Sequence, residues 1–561
     1  MSRWVRTLVL LLALGAASAI LSFRPVYEPD LGWHLAHGRE HVAGRVVRTN
    51  LFSFTHPDYR QHYTSWLFEA GAYASWTLGG DAAVQAFQAV LLAATLGLVF
   101  AACRIRSGAL PAAAILILGF VILEPRAIPR PHLVSFLGMA CVGWLIQRSI
   151  AARSASPLVW AIPVVAVWSG AHAECVFGVL MLGLFAGAEV IWPSALPRAQ
   201  GRRASLLTVC CAFALLANPY GVGLLRYLYE NFTVPQLLGI AELQPAYLPA
   251  YRAFFAYLVL TCILFIVYFR QLTLWEVLAV VVFGALGVRY LRLTPLLWLA
   301  TAPMVAARLS ALIARGIDGR AILVTAAAAA MFLSRIPLPA LVSEFRVGSL
   351  HPESMFSSRA IHFVREQGLN GPLFNSNNLG GWLAWQGYPE LRIFQDSRLQ
   401  AYPSDHFRRI VEASRSPAAW AKLLRGVDWA ILSTPRPNAL SGVGLFSNAD
   451  WAIVYWDDVT EIVARRQGRY AELARTREYE VFQSDADLAS LIPMLSSGDR
   501  NRLLAEARRN RAEDPDGFTA AALLCLAEKD RAACADVERL GAERSAYRSE
   551  AELVRVLRSK Q

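Results

Sequence analysis

Charged side chains are scarce in this sequence. Asp, Glu, Lys and Arg make up 17% of the 561 residues, whereas a soluble globular protein carries about 25%. Hydrophobic residues make up 55%, and the mean hydropathy is +0.38. The deficit is uneven, because residues 1–340 hold long apolar segments and residues 341–561 have the composition of soluble protein. This split excludes a single soluble domain and predicts a membrane part followed by a soluble part.

Several common site motifs are also missing. None of the eight cysteines forms a Cys-x-x-Cys pair, which argues against a metal or redox site of that kind. We find no helix-turn-helix, zinc-finger or RNA-binding pattern. The net charge of +12 is explained by basic residues in short loops between apolar segments, so we expect no nucleic-acid partner. Cys525 and Cys534 lie in the soluble part, where they are either a disulfide, if that part is outside the cytoplasm, or two buried thiols.

Eleven apolar segments are candidate transmembrane helices. They span residues 4–23, 83–103, 108–123, 132–148, 157–171, 174–192, 204–218, 253–269, 273–288, 291–307 and 319–338. Basic loop residues fall on one side if the N-terminus is cytoplasmic. Eleven spans then place residues 341–561 outside the cytoplasm, which in a bacterial inner membrane is the periplasm. The first segment also resembles a cleavable signal peptide, and its removal would not change this sidedness.

Two outer loops, 24–82 and 219–252, are long enough to be functional. Glu28 and Asp30 directly follow the first segment, so two carboxylates lie at the outer membrane surface. They are either a catalytic base with a metal-binding partner, or Asp30 caps an amphipathic helix from Leu31 to about Val42.

Four arginines lie in outer loops, where the positive-inside rule disfavours them. They are Arg126, Arg130, Arg289 and Arg292. An arginine can bind phosphate through two parallel hydrogen bonds, so we expect these four to bind an anionic donor; lipid headgroups or a glutamate partner are the alternative. Further polar or aromatic residues in outer loops are candidates for the same pocket: His34, Trp66, Glu69, His132, His172 and Glu174.

These motifs together resemble the GT-C superfamily of membrane glycosyltransferases. The resemblance covers residues 1–340 and is carried by Glu28-Pro29-Asp30, Trp33-His34, Ser53-Phe54-Thr55, Ser65-Trp66-Leu67-Phe68-Glu69, Arg130-Pro131-His132 and Asn218-Pro219-Tyr220-Gly221. It implies a polyprenyl-phosphate-linked sugar donor, a glycan, lipid or protein acceptor, and contact with membrane lipids. It also implies that Asp30 is the catalytic base and Glu28 its assistant or a metal ligand.

The resemblance leaves cofactor use open, since some members require a divalent cation and others do not. No cofactor is certain, and Mg or Mn would bind at Glu28 and Asp30. One carboxylate and direct displacement predict inversion at the anomeric carbon. The alternative function is a non-catalytic scaffold for polysaccharide assembly that kept the membrane fold.

The soluble part shows two patterns. Residues 341–480 alternate helix and strand signals, which predicts a small α/β periplasmic domain with strands at 372–375, 391–396, 428–433, 451–456 and 460–465. Residues 481–561 predict a helical tail that resembles one or two tetratricopeptide units. The expected fold is therefore an α-helical polytopic membrane domain with an α/β domain and a helical tail outside the cytoplasm.

Overall fold

A computed structural model of the chain describes residues 3–233, 241–350, 357–433, 445–457, 459–483, 488–543 and 548–559. The chain divides into two compact units. The first unit comprises residues 1–48 and 60–350, and the second comprises residues 49–59 and 351–561.

The described part of the first unit is helical. Its helices are α1 (Arg3–Ser22), α2 (Leu31–Val42), α3 (Trp66–Arg106), α4 (Ala109–Leu123), α5 (His132–Ala152), α6 (Ala161–Ala171), α7 (Cys175–Ile191), α8 (Arg198–Ala214), α9 (Gly223–Thr233), α10 (Leu248–Val267), α11 (Leu274–Arg289), α12 (Thr294–Ala314), α13 (Gly319–Leu333) and α14 (Leu338–Ser343). Each of the eleven predicted apolar segments overlaps one of these helices.

Four stretches among the described residues are long and apolar enough to cross a membrane. They are Trp66–Arg106, Ala109–Arg126, His132–Ala152 and Leu291–Ala314. Shorter apolar stretches of 10–17 residues lie in α1, α6, α7, α10 and α13 of this unit. The unit is therefore a helical membrane unit, and the number of eleven crossings stays a prediction.

Small residues allow close helix packing near the outer loops. A Cβ on Gly138 of α5 or on Gly178 of α7 would lie 2.3 or 2.5 Å from the ring of Trp168. Trp168 is buried in α6, and its indole N–H donates to Ser135 Oγ at 2.9 Å. Small-residue contacts of this kind hold membrane helices together where hydrophobicity does not.

Helix α3 begins inside the predicted outer loop 24–82. Helix α3 begins at Trp66, and the helical backbone breaks at Gly79 and Gly80 before it continues to Arg106. Gly80 has a φ of +57°, which a glycine adopts without strain. The segment from Trp66 to the break is helical because it packs on α2, a tertiary contact that sequence pattern does not reveal.

The second unit contains a four-stranded sheet. Its strands are β1 (Leu373–Asn375), β2 (Trp429–Ser433), β3 (Trp451–Trp456) and β4 (Thr460–Arg465), in the order β1-β2-β4-β3. β1 is parallel to β2, with Leu373 opposite Trp429, and the other two pairs are antiparallel. The predicted hairpin around Asp457 is present as β3 and β4.

Helices surround this sheet and follow it. They are α15 (Ser358–Glu366), α16 (Gly380–Gly387), α17 (His406–Ala413), α18 (Pro417–Leu423), α19 (Ala471–Arg477), α20 (Leu488–Leu491), α21 (Arg500–Glu513), α22 (Phe518–Glu528), α23 (Arg531–Glu543) and α24 (Arg548–Ser559). Cys525 and Cys534 form a disulfide between α22 and α23.

The predicted boundary at residue 480 stays a prediction: one buried cluster, with Phe374, Trp420 and Val463, lies before it, and a second cluster extends across it. Trp456 of β3 belongs to the same buried cluster as Phe482, Leu503 and Phe518 of the tail. The Trp456 indole N–H donates to the carbonyl of Phe482 at 2.8 Å. Strand β3 thus contributes Trp456 to the buried cluster of the tail helices.

The predicted strand at 391–396 pairs outside the sheet. Ile393 forms an isolated parallel bridge with Ser53, a residue of the first outer loop. The Phe54 amide donates to the Ile393 carbonyl at 3.1 Å, and the Ile393 amide donates to the Phe52 carbonyl at 2.9 Å. Asn50 adds a side-chain bond to the Ala401 carbonyl at 2.9 Å. Residues 49–59 thus belong to the second unit, although their place in the sequence suggested a membrane loop.

Candidate active site

Arg130 joins three carboxyl groups from two outer loops. Its guanidinium reaches Glu28 Oε2 at 2.6 Å, Asp30 Oδ2 at 3.0 Å and Glu242 Oε1 at 3.0 Å. Arg126 also binds Glu242 Oε1, at 2.7 Å. We call these five residues the arginine–carboxylate cluster. It brings together the two predicted carboxylates and two of the four predicted phosphate-binding arginines.

Asp30 precedes α2, as the capping alternative requires, but its carboxylate is used differently. Its side chain makes no hydrogen bond to the described amides of the first turn of α2. The carboxylate instead lies 3.0 Å from Arg130. Its backbone amide donates to Glu28 Oε1 at 3.0 Å, which holds the two carboxylates side by side. The Asp30 carboxylate is therefore an ion-pair partner of Arg130 and not a helix cap, and its catalytic role stays a prediction.

Burial differs among the three carboxyl groups. The side chain of Glu28 is fully buried, while those of Asp30 and Glu242 are 18% and 29% exposed. Asp30 is thus the member of the Glu28-Pro29-Asp30 pair that a bound acceptor can reach.

The members of the cluster also differ in the direction in which their pKa values are shifted. Burial raises the pKa of Glu28 to about 7, against the opposing attraction of Arg130. Burial also acts on Glu242, but Arg126 and Arg130 together hold its pKa well below the usual value. Burial would lower the pKa of Arg130, but the surrounding carboxylates raise it. Below pH 7 the cluster therefore carries two guanidinium charges and a proton on Glu28.

His132 supports Arg126 from behind. Its Nε2 lies 2.6 Å from the Arg126 carbonyl oxygen, and its ring is buried at the start of α5. The bond fixes the short turn between α4 and α5, so the guanidinium of Arg126 is directed toward Glu242.

A second group lies between α6 and α7. His172 Nδ1 is 2.7 Å from Ser135 Oγ and 3.5 Å from Glu174 Oε2. Arg292 lies 3.9 Å from Glu174 Oε1. Burial, Arg292 and other nearby cationic groups hold the pKa of His172 well below its ordinary value, so the imidazole is neutral.

The remaining predicted residues lie elsewhere. Arg289 is exposed, and its guanidinium lies 4.7 Å from the ring centre of Tyr290. Trp66 packs against Gly170, where a Cβ would come within 2.6 Å of the indole nitrogen. Glu69 and His34 contact each other at 3.2 Å in a separate buried group.

Sequence reasoning missed three residues. Glu242 was one of two acidic residues in the loop 219–252, and the pattern gave no reason to choose it over Glu230. His37 and His41 join His34 at Glu69. Their spacing along the predicted helix was a signal, because residues 34, 37 and 41 fall on one helical face.

The cluster does not have the donor set of a metal centre. Among the described residues, no group of three or more His, Cys, Asp or Glu side chains is arranged to hold a metal ion. Glu28 and Asp30 both contact the guanidinium of Arg130, so a cationic side chain already lies against the two carboxylates. These residues, as arranged, do not fit a divalent cation.

In comparisons with known proteins, this chain is similar to solved structures. No protein-family model matches the sequence, and no curated protein matches it. The archaeal oligosaccharyltransferase AglB from Archaeoglobus fulgidus, in complex with an inhibitory peptide and a dolichol-phosphate, is similar in fold. The TM-score is 0.54 at 11% sequence identity, over 77% of this chain and 70% of that chain. The apo form of the same oligosaccharyltransferase gives 0.50 at 10% identity, over 76% and 69%.

The arabinofuranosyltransferase AftD from Mycobacteria is also similar, with a TM-score of 0.50 at 15% identity. The match covers 83% of this chain but only 40% of AftD. At these identities the likeness concerns the fold. It confirms the predicted resemblance to GT-C glycosyltransferases at that level.

Proposed function

We propose that this chain is a membrane glycosyltransferase. It transfers a sugar from a polyprenyl-phosphate donor to an acceptor hydroxyl or amide at the outer face of a bacterial inner membrane. The fold shared with two glycosyltransferases supports this class of activity. AglB has been solved with dolichol-phosphate, a lipid phosphate of the class proposed here.

One observation carries the proposal: Asp30 lies 3.0 Å from Arg130, beside a second arginine. A base and an anion-binding group must be neighbours when a nucleophile attacks a carbon whose leaving group is a phosphate. Both arginines follow α4, and both carboxylates follow α1, so the fold supplies the two functions from separate loops.

The reaction follows from these roles. Asp30 accepts the proton of the acceptor as its oxygen or nitrogen forms a bond to the anomeric carbon. The bond from that carbon to the phosphate oxygen breaks, and the polyprenyl phosphate leaves with the electron pair. Arg130 and Arg126 neutralise the charge that develops on the phosphate. A single displacement inverts the anomeric configuration, and no step passes through a metal.

The sidedness of the chain is part of the proposal. Basic residues in the inner loops favour a cytoplasmic N-terminus and a periplasmic second unit. The disulfide between Cys525 and Cys534 supports this orientation, since disulfides persist in oxidising compartments.

The decisive experiment is a transfer assay in membranes with labelled polyprenyl-phosphate sugars. Asp30→Asn should reduce the rate by about 10²–10⁴-fold, the range that a general base contributes. Asp58→Asn is the matched control, because Asp58 is an exposed aspartate of the same loop. If wild type transfers no sugar but binds glycan, the alternative of a non-catalytic assembly scaffold replaces this proposal. Retained anomeric configuration in the product would overturn the single displacement.

A further inference from the structure

Helix α2 carries three histidines on one face. His34, His37 and His41 are separated by three and four residues, so their side chains lie above one another along the helix. His34 and His37 are buried, and the side chain of His41 is only 2% exposed. A buried row of imidazoles needs partners, because an unpaired polar group away from water is costly.

One carboxylate meets all three. Glu69, in the first turn of α3, is fully buried. Its Oε1 lies 3.2 Å from His34 Nδ1 and 3.4 Å from His37 Nδ1, and its Oε2 lies 3.1 Å from His41 Nε2. Glu69 therefore contacts α2 over two turns, which fixes both the rotation and the axial position of that helix.

The two helices also touch through their backbones beside this contact. A Cβ on Gly38 would lie 2.1 Å from the Glu69 carbonyl oxygen and 2.6 Å from Tyr73 Cβ. Only glycine fits there, so α2 approaches α3 more closely than ordinary side chains allow. This contact is independent of the histidines and supports the same rigid pairing.

The histidine face is connected onward to the other long loop. His41 Nε2 is 3.2 Å from Thr64 Oγ1, which lies 2.7 Å from the hydroxyl of Tyr220. That hydroxyl donates to the Val47 carbonyl at 3.0 Å. Tyr220 belongs to the Asn218-Pro219-Tyr220-Gly221 motif, so the motif holds the chain after α2 in place rather than only ending a helix.

Asp30 stands at the N-terminal end of this fixed helix. The His34 amide donates to the Asp30 carbonyl at 3.1 Å, so the first turn of α2 begins at the residue that binds Arg130. A rotation or shift of α2 would move the Asp30 carboxylate relative to Arg130. The arginines are carried by a different loop and would stay in place.

We propose that Glu69 is a positioning residue for sugar transfer: it fixes α2 against α3 so that the Asp30 carboxylate meets Arg130. The inference rests on the proposed function, since it assigns Glu69 a role through Asp30. Its side chain is a buried carboxylate within hydrogen-bond distance of three imidazole nitrogens, and it touches no reacting atom.

The kinetic test uses Glu69→Gln, which keeps the size of the side chain but removes its negative charge and one of its two acceptor oxygens. We expect kcat to fall by about tenfold to a hundredfold, the cost of a misplacement of about 1 Å. The KM for the donor should stay within about twofold, because Arg126 and Arg130 are not carried by α2. The double variant with Asp30→Asn should be no slower than Asp30→Asn alone, since residues that act through one group are not additive.

Glu230→Gln is the control. Glu230 also has an arginine and a histidine within reach, Arg226 at 3.0 Å and His62 at 3.6 Å, but it is partly exposed. It should keep wild-type kcat. The proposal would be overturned if the reductions in kcat from Asp30→Asn and Glu69→Gln multiplied in the double variant. A wild-type kcat for Glu69→Gln would also overturn it.

A second measurement does not depend on activity. In the full-length protein in lipid nanodiscs, hydrogen exchange of the amides of residues 31–42 should be faster by at least about tenfold in Glu69→Gln, because α2 has lost its anchor. Asp30→Asn and Glu230→Gln should leave this exchange unchanged. If the wild type shows no transfer, the proposed function fails, but the hydrogen-exchange measurement still tests whether Glu69 fixes α2. Unchanged exchange in Glu69→Gln would overturn the positioning role.

Discussion

The proton on Glu28 should control donor binding. Glu28 is fully buried, and burial raises its pKa from 4.5 to about 7. Below this pH the cluster holds two guanidinium charges against two carboxylates, Asp30 and Glu242. Above it a third carboxylate is ionised beside Arg130, so the site repels the phosphodiester of a lipid-linked sugar.

The raised pKa of Glu28 also determines how the folding stability changes with pH. Between pH 4.5 and about 7 the unfolded chain has released this proton and the folded chain has kept it. The contribution of Glu28 to stability is therefore fully present below pH 4.5 and falls by about 3 kcal/mol in total as pH rises through 7. Bound phosphate favours the protonated form further, so the apparent Kd of the donor should rise by up to about tenfold per pH unit above 7.

The test measures the Kd or the KM of the donor between about pH 6 and pH 9, for the wild type and for Glu28→Gln. Glutamine mimics the protonated carboxyl and still accepts from Arg130, so the variant should bind donor with little pH dependence and match the wild type at low pH. Glu230→Gln should keep the wild-type profile. A flat profile in wild type, or the same slope in Glu28→Gln, would refute the assignment of the proton to Glu28.

Three further predictions concern the cofactor and the second unit. Transfer should stay within about twofold in excess EDTA, because the guanidinium of Arg130 already lies against Glu28 and Asp30; a loss of activity restored by Mn or Mg would contradict this. Arg398→Ala should lower the stability of the second unit by about 3–5 kcal/mol, seen in its thermal midpoint, since it leaves the buried Asp396 without its partner at 2.5 Å; an unchanged midpoint would show that the pair is dispensable. Replacing Cys525 and Cys534 by serine should cost about 2–4 kcal/mol, and a thiol reagent should label these two cysteines only after reduction; labelling of both without reduction would place them in a reducing compartment.

Local patterns in the sequence predicted the local structure. All eleven apolar segments are helical, because the length and hydropathy of a segment are properties of that segment alone. The amphipathic helix at residues 31–42 and the hairpin of β3 and β4 follow from periodicity in the same way. These features need no knowledge of distant partners.

Partners at long sequence separation could not be predicted. Arg130 and Glu28 are 102 residues apart, and Arg126 and Glu242 are 116 residues apart. Charge and membrane depth identified the arginines as unusual, but nothing in their spacing identified Glu242. Arg289 was selected for the same reason as Arg126 and Arg130, because it also lies in a predicted outer loop. It is exposed at the end of α11, since the position of a residue along the membrane normal does not determine the direction of its side chain.

The first outer loop shows why composition alone misplaced a domain boundary. Its ends belong to the membrane unit, with Asp30 before α2 and Glu69 in α3, while residues 49–59 are built into the second unit. There Asn50 is fully buried and accepts from Arg398 at 2.9 Å. The chain that carries the proposed base therefore passes through the second unit before it returns to the residue that anchors α2.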